Sequence, residues 1–279
     1  MVVPFIGSAA LSRGDLTAYA LRSRFSALYP DVYLPRDAEI TAIGRARAAW
    51  LWSGERGVVA GRSAVALHRA KWVDARLPAE MMWTNRRPPA GITVWSDTVA
   101  EDERQEADGI TVTTPARTAL DIACRYRLDR AVAAIDALAR ATHLKSADIE
   151  ALTARYPGRR GIRQARRAIA LVDPGAESPR ETWLRLLLIR AGFPPPTTQI
   201  PVYDKYGVLV AVLDMGWEDI KVSVEYDGQH HRRDRWQFNK DIHRSENVAE
   251  LGWINIRVTA DDTEGEVLRR VRDAQTRRT

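Results

Sequence analysis

Apolar and polar positions alternate with different periods along this chain, and the period marks out its elements. In the first stretch, Leu16, Ala20, Phe25 and Leu28 follow Asp15 as a partial apolar stripe, which predicts a short helix capped by Asp15. The segment DVYLP that follows predicts a strand closed by Pro35. Helices are expected around 40–52 and 63–70, and strands near 81–84 and 92–96. Ile110 to Val112 predicts a strand running into Thr114 as helix cap and Pro115 at the first helical position, where its missing N–H costs nothing. Leu120, Ile122 and Ala123 then face a core. A second helix is expected over 129–142, with Val132, Ile135 and Leu138 inward, and Ser146 is expected to cap a third. The segment 155–167 becomes helical after Gly161.

The pattern breaks at Pro174, Gly175 and Pro179. Ser178, Pro179 and Glu181 have the spacing of a capping box and open a helix that runs to about Ala191. Gly192 and the prolines at 194–196 end it. Beyond them the period becomes two. TTQIPVYD reads as a strand, and VLVAVLDMGW with IKVSVEYDG reads as a β-hairpin. On the second hairpin strand Lys221, Ser223, Glu225 and Asp227 share one face, while Val222, Val224 and Tyr226 share the other. A two-residue loop at Glu218 and Asp219 sets Asp214 opposite Ser223, with Glu225 its diagonal neighbour. A four-residue turn is expected to set Asp214 opposite Lys221 instead, leaving Glu225 one pair further along.

Length and composition limit the possibilities. A chain of 279 residues accommodates about two domains, and the break places them at 1–174 and 177–279. No apolar run approaches the ~18 residues of a membrane span, and the first residues lack the basic start of a signal peptide, so a cytoplasmic location is expected. One cysteine, Cys124, excludes an internal disulfide and a cysteine-rich zinc site. The net charge of +6 is uneven: residues 1–176 carry 26 basic and 19 acidic side chains, against 16 and 17 in the remainder. Arg155, Arg159, Arg160, Arg163, Arg166 and Arg167 crowd one short segment. They suit either a phosphate-contacting face, of which Arg159, Arg160, Arg163, Arg166 and Arg167 are the candidate DNA contacts, or a plainly solvated helix.

The acidic residues of the second half suggest chemistry. Carboxylates gathered on a half-buried sheet repel one another unless something neutralises them. Asp214 and Glu225 are spaced to share one divalent cation, Mg²⁺ or Mn²⁺, which would polarise a phosphoryl oxygen and acidify a bound water. Lys221 could offset negative charge in the transition state, and His230 or His231 could move a proton. No Walker loop, dinucleotide-binding glycine motif or nucleophile elbow is present.

Glu181 on a helix, Asp214, Glu225-x-Asp227-Gly228, the following histidines, Asp241-x-x-Arg244 and Leu251-Gly252-Trp253 with Arg257 together resemble the restriction-endonuclease-like PD-(D/E)xK superfamily, in the branch similar to very-short-patch-repair endonucleases. The resemblance covers about residues 177–262. DVYLP, GRSAVALH and TVTTPARTALDIA resemble AbiEi-type antitoxin proteins. Together they imply an α/β protein: an α+β antitoxin-like domain with an abbreviated winged-helix start, then a mixed sheet flanked by helices. Carried over, the resemblance makes Asp214 and Glu225 metal ligands, with Glu181 and Asp227 beside them. Asp227 stands where the superfamily usually has lysine, so Lys221 is the first substitute and His230 the second. Arg244 and Asp241 are expected to form a structural ion pair. The implied activity is metal-dependent hydrolysis of DNA. The alternative is a non-catalytic DNA-binding regulator of antitoxin type on a degenerate nuclease fold. DNA is the expected partner in both, with a cognate toxin-like protein beside it.

Overall fold

The computed structural model describes residues 3–85, 87–228 and 244–278, in two units, 1–172 and 173–279. The first unit opens with β1 (Phe5–Ile6), α1 (Gly7–Ser12), α2 (Ala18–Arg24), β2 (Phe25–Tyr29) and β3 (Val32–Pro35). The three strands form a sheet in the order β1-β3-β2, as the motif DVYLP predicts for its third member. The helix expected from Asp15 differs. It starts two residues later, with the Thr17 hydroxyl accepting from the Ala20 amide, and it stops at Arg24. Phe25 and Leu28 are strand residues instead of helix stripe, because Phe25 pairs with Pro35 and its ring meets Phe5 edge-on at 5.0 Å. Arg36 fixes the stop by donating to the carbonyls of Arg22 and Ser23 at the end of α2.

The next elements are α3 (Ala42–Trp52), β4 (Val58–Val59), α4 (Gly61–Leu67), β5 (Ala79–Met82), β6 (Ile92–Trp95), β7 (Arg104–Ala107) and β8 (Ile110–Thr113). Their strands make a mixed sheet, β6-β5-β4-β8-β7. Met81, Ile92, Ala48 and Ala49 fill one cluster against α3, and Val59, Val112, Ile110 and Leu67 fill another beneath α4. Then come α5 (Pro115–Arg125), α6 (Leu128–Thr142), α7 (Ser146–Arg155) and α8 (Ile162–Ile169). Thr114 caps α5 with Pro115 at its first position, as the sequence predicts. At α7 the cap is Lys145, one residue before Ser146, and Asp148 accepts its amide. Gly161 initiates α8 at φ +86°, where a side chain would strike the Cys124 carbonyl at the end of α5. Only glycine allows both that backbone and that approach.

The second unit is α9 (Pro179–Arg190), β9 (Thr197–Tyr203), β10 (Leu209–Trp217), β11 (Val222–Tyr226), α10 (residues 244–250), β12 (Ile254–Val258) and α11 (Glu264–Thr276). Ser178 caps α9 from the predicted position. Among the described residues the sheet has four strands, β12-β11-β10-β9. It is mixed: β9, β10 and β11 form an antiparallel meander, and β12 returns parallel to β11. Leu184, Leu188, Met215, Val222, Val224, Val258, Val267 and Val271 bury α9 and α11 against it. A second cluster joins Ile200, Val202 and Leu213 to Val248 of α10. The valine face of β11 is thus core, as its alternation predicts.

Candidate functional site

The hairpin register decides how the acidic residues meet. Met215 pairs with Val224, Gly216 with Ser223 and Trp217 with Val222, so the turn takes residues 218–221. Lys221 closes it at φ +49°, its amide donating to the Glu218 carbonyl. The register is therefore neither of those predicted. Carried one pair further it sets Asp214 opposite Glu225, the closest placement two strand residues can have. The Tyr226 amide donates to Asp214 Oδ2 at 3.0 Å, which aims that carboxylate along β11.

Three carboxylates then lie within electrostatic reach. Burial pushes the Asp214 carboxyl up to about 7, and repulsion from Glu181 and then Glu225 adds to it. The Tyr226 amide and Arg244 pull the other way. Glu225 is only 6% exposed, and both of its oxygens are engaged. Arg244 donates to Oε1 at 2.6 Å and Asn255 to Oε2 at 2.6 Å. Arg244 also donates to the Val212 carbonyl, which ties α10 across β10 and β11. Glu181 turns back on the start of its own helix, accepting from Ser178 Oγ at 2.8 Å and from the Glu177 amide at 2.7 Å.

The remaining predicted groups fall elsewhere. Lys221 does not join the carboxylates: its Nζ donates to the Leu251 carbonyl at 3.1 Å. It lies four residues from Glu225, roughly 13 Å along the strand. Asp227 is half-buried at the end of β11, its amide donating to the Val258 carbonyl. His230, His231 and Asp241 lie outside the described residues, so the predicted pair of Asp241 with Arg244 does too. Among the described residues no three His, Cys, Asp or Glu side chains converge as a metal-binding group. Asn255 was not foreseen. It meets Glu225 because β12 runs parallel beside β11, pairing Ser223 with Asn255 and Glu225 with Arg257.

The predicted basic face divides in two. Arg159 is drawn inward, pairing with Asp121 and, at 3.3 Å, with Asp97. Arg160, Arg163, Arg166 and Arg167 are exposed. The last three follow the i, i+3, i+4 rule of a single helix face. Beneath them lies a buried charge network that composition does not reveal. Arg117, 1% exposed, pairs with Glu103 and with Asp121 and donates to the Thr98 carbonyl. Beside it, Glu80 accepts from Tyr126, from Arg62 and from the Arg62 amide at the start of α4. His68, whose pKa burial lowers, bonds the Thr113 carbonyl from the end of α4. These groups are paired within the fold.

No helix among the described residues is long and apolar enough to cross a membrane, and no solved structure matches the chain. Two uncharacterised proteins from two strains of Mycobacterium tuberculosis are each 33% identical over 180 residues, covering 64% of this chain and 65% of each relative. The matched segment of the first unit, with its buried arginine network and its exposed α8 arginines, has a family counterpart: residues 46–173 match the AbiEi antitoxin C-terminal domain.

Proposed function

We propose that this protein is a DNA-binding regulator of antitoxin type, acting with a cognate toxin-like protein, whose second unit serves as a scaffold of nuclease-like architecture. One observation carries the reading: Arg160, Arg163, Arg166 and Arg167 are exposed together on α8 and the turn before it, inside the segment that matches the AbiEi antitoxin domain. Guanidinium groups gathered on one face release condensed counterions when they meet phosphates, so affinity falls steeply with salt. Replacing these four arginines by alanine is expected to weaken duplex binding and to reduce the slope of log K against log salt by up to about 3.6, at roughly 0.9 per lost phosphate contact. The melting temperature should stay near that of the parent, because the four side chains are solvated. Unchanged affinity and slope would sink the reading.

A second reading, metal-dependent hydrolysis of DNA, is favoured by the apposition of Asp214 and Glu225 with Glu181 close enough to raise the Asp214 pKa. The donor set is already engaged within the fold. Both oxygens of Glu225 already accept from Arg244 and Asn255, and both oxygens of Glu181 hold the start of α9. Arg244 supplies the positive charge a cation would bring, and Asp214 takes up a proton near neutrality. The acidic residues are therefore read as a tether between α9, the hairpin and α10.

A further inference from the structure

The outer edge of β12 borders a groove of 560 Å³ between α10 and α11. Four guanidinium groups line it, those of Arg257, Arg269, Arg270 and Arg277, against the single carboxylate of Asp273. Arg257, Arg269 and Arg277 are exposed. Nη1 of Arg269 reaches Asp273 at 3.5 Å, but with side chains 66% and 54% exposed the pair is screened by water and neutralises little. We propose that this groove binds the phosphodiester backbone of nucleic acid. The inference rests on the DNA-binding reading above and adds a second contact surface, in the other unit.

Spacing and chemistry both favour a phosphate chain. Arg269, Asp273 and Arg277 recur every four residues, so they share one face of α11. The two arginines stand about 12 Å apart along the helix axis at 1.5 Å per residue, a span of roughly three phosphates of one strand at 3.4 Å each. Planar guanidinium groups match phosphate oxygens in bidentate fashion. An extended acidic peptide is the competing occupant, since an edge strand invites pairing. The edge is closed to it at one place: Nη1 of Arg270 donates to the Arg257 carbonyl at 2.9 Å, and Nη2 lies 2.7 Å from Asp262. The charge that lines the groove is mainly guanidinium, four groups against one carboxylate.

The test is fluorescence anisotropy of the full chain on a labelled duplex of mixed sequence, titrated at several salt concentrations. Arg257→Gln, Arg269→Gln and Arg277→Gln combined should lower affinity about tenfold or more and reduce the salt slope by about 2 to 3. The pair Arg269→Gln and Arg277→Gln spares the Arg257 bond to Ser245 and should give the smaller part of that loss if the triple variant misfolds. Lysine at the same positions keeps the charge and should restore most of the slope. Unchanged affinity and slope in a folded triple variant overturn the proposal. Loss of binding in the α8 variant alone overturns it while leaving the regulator reading intact, and a parent chain that binds no duplex overturns both. A groove variant that keeps DNA affinity but loses polyglutamate binding also overturns it, in favour of an acidic protein partner.

Discussion

Asp214 sits among like charges, and its raised pKa has a consequence for stability. In the folded state its carboxyl titrates near 7, against about 3.9 in an unfolded chain. The native state therefore binds more protons between those values, and this contribution to stability is complete below about pH 4 and lost as pH rises through 7. Removing the charge should undo the loss. Asp214→Asn keeps an acceptor for the Tyr226 amide and is expected to raise the unfolding free energy at pH 8 by up to roughly 3–4 kcal/mol. At pH 4 it should change little. Urea denaturation at the two pH values measures this, and an equal gain at both would show that Asp214 is not strained by its neighbours. At this scale the sequence names the acidic residues but not their partners. Lys221 looks like the cation of the set because it shares their strand face, yet it is held by the Leu251 carbonyl. Arg244, read from the sequence as structural, is the group that reaches Glu225.

Elements follow the sequence where a local signal sets their ends. Thr114 with Pro115, and Ser178 with Pro179 and Glu181, start α5 and α9 where capping chemistry says they must. The alternation of β11 puts its valines in the core. Elements depart from the sequence where a distant partner competes. Phe25 and Leu28 fit a helical stripe, but β2 claims them both, Phe25 by pairing with Pro35 and Leu28 at the irregularity between the paired Ala27 and Tyr29. The hairpin turn is longer than the loop of Glu218 and Asp219 suggests, which moves Asp214 from Ser223 to Glu225. Sheet edges show a similar division. Pro201 in β9 carries no amide to offer a further strand, a feature the sequence itself displays. The cover that Arg270 lays on β12 is not visible there. A test belongs at α4, whose first residue Gly61 has φ +53° and would press any side chain onto Glu80 and Trp95. Gly61→Ala is expected to cost about 2–4 kcal/mol, combining left-handed backbone strain with displacement of the Glu80 carboxylate from the helix start. Denaturant unfolding checks this, and a loss under about 1 kcal/mol would mean that the cluster of Glu80, Tyr126 and Arg62 yields easily.

For the whole molecule, the decisive question is whether its acidic cluster cuts DNA. With Glu225 and Glu181 engaged as they are, incubation of supercoiled plasmid with Mg²⁺ or Mn²⁺ is expected to give no nicking above that of the Asp214→Ala variant. Cutting by the parent chain that chelator and Asp214→Ala both abolish would reverse the assignment in favour of the nuclease. The excess of basic residues in 1–176 finds a place in the α8 surface, whereas the arginines along β12 are gathered by the fold in a half that carries no such excess. What the sequence determined by itself was whatever depends on neighbours within a few residues: the capped starts of α5 and α9, strand alternation, the motifs that resemble the AbiEi antitoxin domain matched over 46–173, and the crowding of arginines before α8. Tertiary structure alone decided which of those arginines is consumed by Asp97 and Asp121, which cation neutralises Glu225, and which arginines line the edge of β12. The physical reason is range. Caps and periodicity act through bonds between adjacent turns, whereas the pairing of a buried charge is fixed by strands and helices tens of residues apart that meet only when the chain has folded.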